Sequence, residues 1–219
     1  MKREIRLTAD GSPTLYVPEL DETYHSRHGS VQEALHVFIA NGLKPLASKN
    51  KSIQILEVGF GTGLNALLSA KFAIENQVQL NYTGIEAYPV EEALWHHLDY
   101  LQNQEGKVLY EELMQAKWEE PNALHDFFQI TKVQKRIQDW QAKASFDLVY
   151  FDAFGPRAQA EMWSKAIFEK LFTSMSNGGI LVTYCAQGQF KRDLKAVGFE
   201  LESLPGPPGK REMTRAYKI

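Results

Sequence analysis

The sequence predicts an α/β fold built around one mostly parallel sheet, and three observations predict it. From residue 51 onward, short apolar runs alternate with amphipathic stretches of helical period. A glycine-rich turn joins the first of these runs to the first helix. The chain has 219 residues, 44% of them hydrophobic and 23% charged, which suits one core. We therefore predict a seven-stranded sheet with helices on both faces, preceded by an N-terminal extension.

Residues 1–50 are predicted to form this extension. Two alternating segments flank a turn at Asp10 to Pro13, which indicates a hairpin. A helix should follow, because Ser30 and Glu33 have the spacing of a capping box and apolar residues then recur on one face until Gly42. The main domain is predicted to span residues 51–219.

Alternating strands and helices make up this main domain. Strands are predicted at residues 53–58, 80–85, 146–151, 180–184, 199–204 and 214–219, and helices at residues 64–74, 162–175 and 190–197. Another helix should begin near Pro89. The polar segment 103–140 is predicted to contain one or two helices and a short strand near residues 128–130.

Composition excludes several classes of protein. No window is long and apolar enough for a membrane span, and the first residues lack the apolar run of a secretory signal, so we predict a cytoplasmic protein. A single cysteine, Cys185, and six scattered histidines argue against a disulfide framework or a metal site. With a net charge of −3, any nucleic acid would have to be bound by a local basic patch.

The glycine-rich turn carries the clearest functional signal. It places Glu57 two positions ahead of Gly59, Gly61 and Gly63. A G-x-G-x-G turn with this leading acid is typical of S-adenosylmethionine-dependent methyltransferases, whereas dinucleotide enzymes use G-x-G-x-x-G. No Gly-Lys-Ser/Thr follows, so the turn is not a P-loop. A nicotinamide cofactor remains the alternative.

Glu86 strengthens this interpretation. It ends the second predicted strand, about twenty residues past the turn, where a carboxylate can accept hydrogen bonds from both ribose hydroxyls. The competing interpretation is a tight strand-to-helix turn followed by a solvated glutamate. The ordered combination with the turn favours a bound adenosyl cofactor, S-adenosyl-L-methionine.

Asp152 is the candidate catalytic residue. It follows the buried strand 146–151, and ligands of open α/β sheets bind beyond the carboxyl ends of the strands. Methyl transfer to an aliphatic amine needs a neutral nitrogen, and a carboxylate in the crevice can orient that amine and accept its proton. The alternative is that Asp152 caps the helix that follows.

Cys185 raises a second chemical possibility. It ends the strand 180–184, and a thiolate there could add to a pyrimidine ring for methylation at carbon 5. The alternative is a small apolar strand residue, which is favoured because buried cysteine is common.

The chain resembles the methyltransferase part of the bacterial enzyme family that forms 5-methylaminomethyl-2-thiouridine at the tRNA wobble position. The matching stretches run through nearly the whole sequence: YHS at 24–26, HVFI at 36–39, NGL at 41–43, EVGFGTGLN at 57–65, DAFGP at 152–156, EMW at 161–163, NGG at 177–179 and GKREM at 209–213.

The resemblance implies a Rossmann-like class I methyltransferase fold and N-methylation of the 5-aminomethyl group of wobble uridine. It implies cofactor contacts by Phe60, Thr62 and Asn65, substrate contacts by Tyr24 and Phe154, and a tRNA anticodon loop as partner. A base presented singly into the crevice fits such chemistry. Lys210 and Arg211 in the last loop are the preferred basic residues for RNA contact, although each basic cluster could equally be a solvated face.

Two departures from the family stand out. Its larger members carry a flavin-dependent oxidase domain after this one, so we expect a stand-alone form that receives an aminomethyl substrate made elsewhere. Where the family usually has Gly-Asp near the adenine, this sequence has Thr131 and Lys132. Two alternative functions remain open, namely an enzyme acting on small-molecule amines, either a methyltransferase or an aminopropyltransferase, and a cofactor-binding protein without catalysis. The oligomeric state is not predicted.

Overall fold

The computed structural model describes residues 2–219, beginning with a small antiparallel sheet. Its three strands are β1 (Glu4–Leu7), β2 (Pro13–Val17) and β3 (Glu22–Thr23). Helix α1 (Ser30–Ala34) follows, continues as a nine-residue π-helix (Leu35–Leu43) and ends in α2 (Lys44–Ala47). The predicted hairpin and helix of the N-terminal segment are both present.

The central sheet contains eight strands. They are β4 (Ser52–Val58), β5 (Gln79–Ile85), β6 (Pro121–His125), β7 (Phe128–Val133), β8 (Phe146–Phe151), β9 (Met175–Thr183), β10 (Glu200–Pro205) and β11 (Glu212–Tyr217). Their order is β10, β11, β9, β8, β4, β5, β7, β6. The five strands from β9 to β7 are parallel, and the strands at both edges are antiparallel.

Helices cover both faces of this sheet. They are α3 (Leu64–Asn76), α4 (Glu92–Trp95), α5 (Gln104–Gln115), α6 (Lys165–Ser174) and α7 (Gly188–Val197), with a short 3₁₀ helix at Ala160–Trp163. One buried cluster joins the π-helix, α3 and α5 to the sheet, and the other joins α6 and α7 to the opposite face. Neighbouring residues of β8 divide between the clusters, as the two-residue period of a strand requires.

The strand order creates the crevice. From β4 the chain passes to β5 on one side of the sheet and later to β8 on the other, so the strand order reverses between β4 and β8. Ligands of doubly wound sheets bind at such a point, beyond the carboxyl ends of the strands. Gly59 follows β4 and Asp152 follows β8, so the two sequence signals lie side by side.

The predicted fold class is confirmed, and three local expectations are corrected. The sheet has eight strands rather than seven, because β6 pairs with β7 within the segment that lacked a clear pattern. The capping box does not form: Ser30 Oγ donates to the carbonyl of Pro13, and Glu33 accepts from the Ser26 amide. The helix does not stop at Gly42, where a Cβ would lie 2.9 Å from Val182 Cγ2, so Gly42 serves close packing on the sheet.

The helices of residues 2–219 are all too short or too polar to cross a membrane.

Candidate active site

A cavity of about 230 Å³ lies at the carboxyl ends of β4, β5 and β8. Its walls come from segments that are far apart in the sequence: the N-terminal segment, the glycine-rich turn, the ends of β5 and β7, and the loop after β8. The residues used below are Tyr24, Gly59, Phe60, Gly61, Thr62, Asn65, Glu86, Asp152 and Phe154, all of which line it. The structure therefore brings most of the sequence-predicted site residues together.

The backbone of the glycine-rich turn explains its glycines. Gly59, Gly61 and Gly63 have φ angles of 91°, 51° and 76°, in the left-handed region that glycine adopts without a steric penalty. At Gly59 a Cβ would also lie 2.5 Å from the carbonyl oxygen of Asp152, so the two strand ends touch there through bare backbone. At Gly61 a Cβ would meet the ring of Tyr24 at 3.0 Å.

Glu86 lies across from this turn. Its Oε2 accepts a hydrogen bond from the Gly61 amide at 2.9 Å, and its Oε1 accepts one from the Tyr88 amide at 2.8 Å. The carboxylate is thereby aimed along the cavity wall at the end of β5. A ribose diol can bind to a carboxylate in this position, as the sequence spacing predicts.

Glu57 does not line the cavity. It is fully buried beneath the turn, where it accepts hydrogen bonds from Asn65 Nδ2 and Tyr82 Oη, both at 2.8 Å. Burial raises the pKa of its carboxyl well above the usual range. Glu57, predicted from the sequence to contact the cofactor, therefore lies outside the cavity and reaches its lining only through the hydrogen bond from Asn65.

Asn65 is the link between Glu57 and the candidate catalytic residue. Its Nδ2 donates to Glu57 Oε1 and to Asp152 Oδ2, both at 2.8 Å, which uses both of its N–H groups. Its Oδ1 is buried and has no hydrogen-bond partner among residues 2–219. A buried acceptor of this kind is costly when it stays unpaired, so a ligand N–H or O–H group bound in this cavity would satisfy it.

Asp152 lies at the cavity wall with its amide bonded to the Val58 carbonyl. Burial raises the pKa of its carboxyl to about 7, and the nearby Glu33 carboxylate adds to the rise, whereas the Asn65 hydrogen bond and Lys210 act in the opposite direction. The carboxyl thus exchanges its proton near neutral pH. It does not cap the 3₁₀ helix that follows or α6, since neither helix has a side-chain cap, and the capping interpretation is wrong.

Aromatic side chains shape the cavity next to Asp152. The rings of Tyr24 and Phe154 meet edge to face with centroids 5.0 Å apart. Tyr24 Oη accepts from Arg3 Nε at 2.9 Å, and the Arg3 guanidinium in turn bonds the end of the β5–α4 loop at Tyr88 and Pro89. Trp163 Nε1 donates to the Phe154 carbonyl at 2.7 Å. A flat, partly apolar surface is therefore held rigidly beside the carboxylate.

A second, outer cavity adjoins the first. The two share Tyr24, His25, Ala153 and Phe154, and the outer one continues to the last loop of the chain. Its charged lining residues are Glu22, Arg27, Glu33, Arg157 and Lys210. It therefore opens next to the loop that directly follows Asp152.

The two basic residues predicted for RNA contact differ in their surroundings. Lys210 lines the outer cavity, but its ammonium forms an ion pair with Glu33 Oε2 and lies 3.8 Å from the centroid of the Tyr184 ring. Arg211 is exposed and does not line either cavity. Lys210, predicted from the sequence as a residue for RNA contact, is thus already paired with Glu33.

Two further residues noted in the sequence, Lys132 and Cys185, are buried. Lys132, which stands with Thr131 where the family usually has Gly-Asp, is 1% exposed, and its Nζ donates to the Met114 carbonyl. Neither Thr131 nor Lys132 lines the cavity, whereas residues 135–138 do. Cys185 lines the outer cavity but is 5% exposed, and burial raises the pKa of its thiol. A thiol held protonated is a poor nucleophile, which supports the packing role.

Three charged residues of the outer cavity, Arg27, Glu33 and Arg157, were not singled out from the sequence. None belongs to a recognisable local motif for binding. Glu33 had been assigned to helix capping, and the two arginines lie in loops without clustered charge. Only the packing of the N-terminal segment against the loop after β8 places them around one cavity.

These features define a Rossmann-like α/β protein with an adenosyl-type cofactor crevice at its switch point. A family described as S-adenosyl-L-methionine-dependent methyltransferase matches residues 107–219, and the chain belongs to this family. The predicted enzyme class and its cofactor, S-adenosyl-L-methionine, are thereby confirmed.

Relatives and solved structures extend this result. The chain is 32% identical over 226 residues to the tRNA 5-methylaminomethyl-2-thiouridine biosynthesis bifunctional protein MnmC of Cupriavidus metallidurans, and 33% identical over 229 residues to that of Cupriavidus necator. Each match covers 96% of this chain and 33% of the relative, so the chain spans about a third of these relatives' length.

The crystal structure of MnmC2 from Aquifex aeolicus superposes with a TM-score of 0.84 over 99% of this chain and 70% of that one, at 24% identity. DesVI of Streptomyces venezuelae superposes with a TM-score of 0.54 at 13% identity, covering 86% of this chain and 92% of that one. Both similarities support the fold.

Three observations indicate that the residues of the cavity fit the family's cofactor. Gly59 and Gly61 line the cavity, so the turn presents backbone without side chains at the cavity wall. Glu86 offers acceptor oxygens for a diol, and Asn65 Oδ1 is a buried acceptor without a partner. The walls also include Phe60, which is packed on Gly84, and Thr62, whose hydroxyl already accepts from Tyr100.

Proposed function

We propose that this protein transfers a methyl group from S-adenosyl-L-methionine to the 5-aminomethyl group of a wobble uridine in tRNA, giving the 5-methylaminomethyl nucleoside. The curated relatives carry the name of this modification, and the resemblance covers nearly the whole chain. The observation that carries the proposal is Asp152: a carboxyl with a pKa of about 7, held at the cavity wall by Asn65. An amine acceptor needs such a group.

The proposed chemistry is a displacement with one proton to remove. When bound, the cofactor supplies a methyl group on a positively charged sulfur that departs as a neutral thioether. A substrate ammonium with a lysine-like pKa of about 10.4 has no free lone pair, so it must lose a proton before the nitrogen–carbon bond forms. Asp152 in its ionised form accepts that proton and directs the nitrogen. The methylated amine keeps one positive charge, and Asp152 releases its proton to solvent.

The remaining site residues hold the reactants in place. Glu86, the backbone of Gly59 and Gly61, and the side chain of Asn65 are proposed to bind the cofactor, and Phe60 and Thr62 complete the cavity wall. Gly63, which the sequence also assigns to cofactor binding, does not line the cavity: a Cβ there would lie 2.9 Å from the sulfur of Met114. Tyr24 and Phe154 meet edge to face beside Asp152, and an extruded base can pack against such rings. Glu57 is proposed to position Asn65 from below.

The direct test is nucleoside mass analysis of tRNA. Hypomodified tRNA that carries 5-aminomethyl wobble uridine is incubated with enzyme and cofactor, digested and analysed. We expect a gain of one methyl group on this nucleoside alone. Methylation of free amines with no change in tRNA would contradict the proposal and favour a small-molecule enzyme, and cofactor binding without turnover on any tRNA would indicate a non-catalytic protein.

The Asp152→Asn variant tests the assigned role. The asparagine preserves shape and its neighbours but cannot accept a proton, so we expect kcat to fall by about 100-fold or more while cofactor affinity changes only a few-fold. Asp126→Asn, in an exposed loop between β6 and β7, is the matched control and should retain full activity. Wild-type activity in Asp152→Asn would remove Asp152 from the mechanism.

A further inference from the structure

The outer cavity carries charge in an arrangement that sequence analysis did not reveal. Three of its lining residues carry a permanent positive charge, Arg27, Arg157 and Lys210, and two are acidic, Glu22 and Glu33. Lys210 and Glu33 neutralise each other in their ion pair. The permanent charges left to attract an anion are therefore the two guanidinium groups, opposed by the single carboxylate of Glu22.

The Arg27 side chain is exposed, and hydrogen bonds hold the backbone around it. Its carbonyl accepts from the Ala9 amide at 2.9 Å, and the Gly29 amide donates to the Ser26 carbonyl to close a turn around it. The side chain takes part in no ion pair among residues 2–219. Its two neighbours before it in sequence, His25 and Ser26, also line the outer cavity.

Arg157 is the counterpart from the loop after β8. The amides of Ala158 and Gln159 both donate to the Gly155 carbonyl, at 2.9 and 3.0 Å, and this turn fixes the backbone of Arg157 five residues after Asp152. The Arg157 side chain is exposed and likewise outside every ion pair within the described residues. Its loop is held by Tyr184 Oη, which donates to the Ala153 carbonyl at 2.8 Å.

Such a pair of guanidinium groups suits phosphates on an extended strand. Arginine presents a planar set of donors that matches phosphate oxygens, and rigid backbones limit the entropy that is lost on binding. The two residues come from separate segments that meet at the same cavity, which leads inward to Tyr24, Phe154 and Asp152. A nucleotide that enters this cavity would therefore pass both arginines.

We propose that Arg27 and Arg157, rather than Lys210, form the phosphate-binding rim of the active site and hold the single-stranded RNA on either side of the methylated nucleotide. This inference rests on the proposed function. Lys210 has a separate task, because its ammonium ties the loop between β10 and β11 to Glu33 on α1.

The test is the affinity for tRNA as a function of salt. We expect the double variant Arg27→Gln/Arg157→Gln to bind tRNA about 25-fold more weakly at 0.1 M salt, since each lost phosphate contact lowers the slope of log K against log salt by about 0.7 for single strands. The total slope should fall by about 1.4. Affinity for S-adenosylhomocysteine, measured by calorimetry, should stay unchanged.

The control removes the same charge elsewhere. Lys51 and Lys143 precede β4 and β8 and are exposed, so they lie towards the opposite edge of the sheet from the cavities. Lys51→Gln/Lys143→Gln should bind tRNA almost as wild type does. Equal affinity and slope in the two double variants would overturn the inference.

The two proposals fail differently. Loss of tRNA affinity only in the rim variant supports the inference even if the methylated nucleoside proves to be a different one. A wild-type protein that leaves tRNA unmethylated contradicts the proposed function.

Discussion

Gly59 is the residue with the strictest steric requirement in the site. Its φ of 91° disfavours any side chain, and a Cβ there would lie 2.5 Å from the backbone oxygen of Asp152. If the atom in the way belonged to a flexible side chain, it could move away from the new Cβ. Here it is a backbone oxygen directly after β8, and the amide of the same residue, Asp152, donates to the Val58 carbonyl. Any substituent must therefore separate β4 from β8 at the point where the strand order reverses.

The Gly59→Ala variant should lose both stability and cofactor binding. Left-handed φ alone costs an alanine about 1–2 kcal/mol, and the collision with Asp152 adds to it. We expect the free energy of unfolding in urea to drop by about 3 kcal/mol or more. Gly178→Ala is the matched control, since Gly178 has a φ of 78° but open space around its Cβ position. A loss in Gly59→Ala no larger than the control's would contradict this steric explanation.

At the scale of elements, the ion pair of Glu33 and Lys210 joins α1 to the loop between β10 and β11. Glu33 Oε1 also accepts from the Ser26 amide at 3.0 Å, and Ser26 directly follows Tyr24 and His25, which line both cavities. Burial lowers the pKa of His25 to about 4, so its imidazole stays neutral. The charged groups acting on Asp152 are then Glu33, which raises its pKa, and Lys210, which lowers it.

The pH dependence of methylation should move in opposite directions when each partner is removed. Asp152 accepts a proton only when ionised, so the rate should rise with pH through about 7 in the wild type. Glu33→Gln removes a negative charge, lowers the pKa of Asp152 and should shift this rise to lower pH; Lys210→Met removes a positive charge and should shift it to higher pH. The readout is kcat/KM against pH.

Lys107→Met, which removes the exposed pair with Asp99, is the control and should leave the profile in place. Equal profiles for Glu33→Gln and Lys210→Met would show that the pair does not act on Asp152. A loss of activity without any pH shift would indicate a purely structural role for the pair.

At the scale of the whole molecule, the cofactor cavity is closed by distant parts of the chain. Tyr24 lies over Gly61, Arg3 links Tyr24 to the loop after β5, and the loop at residues 135–138 completes the wall. A ligand that contacts these segments together binds only the folded protein. Binding should therefore stabilise the entire fold.

S-adenosylhomocysteine at about 100 times its Kd should stabilise the protein by about 2.7 kcal/mol, because it binds the native state alone. For a chain of this size this corresponds to a rise in Tm of about 5–10 °C. Glu86→Ala should abolish most of the rise, whereas Glu92→Ala, on the exposed start of α4, should preserve it. Thermal unfolding followed by circular dichroism measures both; an undiminished shift in Glu86→Ala would exclude the ribose contact.

The order of strands and helices and the cofactor turn were predictable from local patterns. The period of the apolar residues indicates which side of a strand or helix is buried. The glycines at 59, 61 and 63 indicate a left-handed backbone conformation that only glycine adopts easily. Asp152 was predictable because a carboxylate directly after a buried parallel strand must lie at the ligand edge of the sheet. Each of these inferences needs only neighbours within a few residues.

Other features depend on contacts between residues far apart in the sequence. Lys210 pairs with Glu33 across 177 positions, and Asn65 donates to Asp152 across 87. No local pattern could therefore show that Lys210 is neutralised or that Asn65 holds the Asp152 carboxyl. The eighth strand was also missed, since β6 contains no buried residue and is defined by its pairing with β7. The periodicity of a segment reflects which of its own residues are buried. The partner of a charged side chain depends instead on which distant segment the fold places beside it.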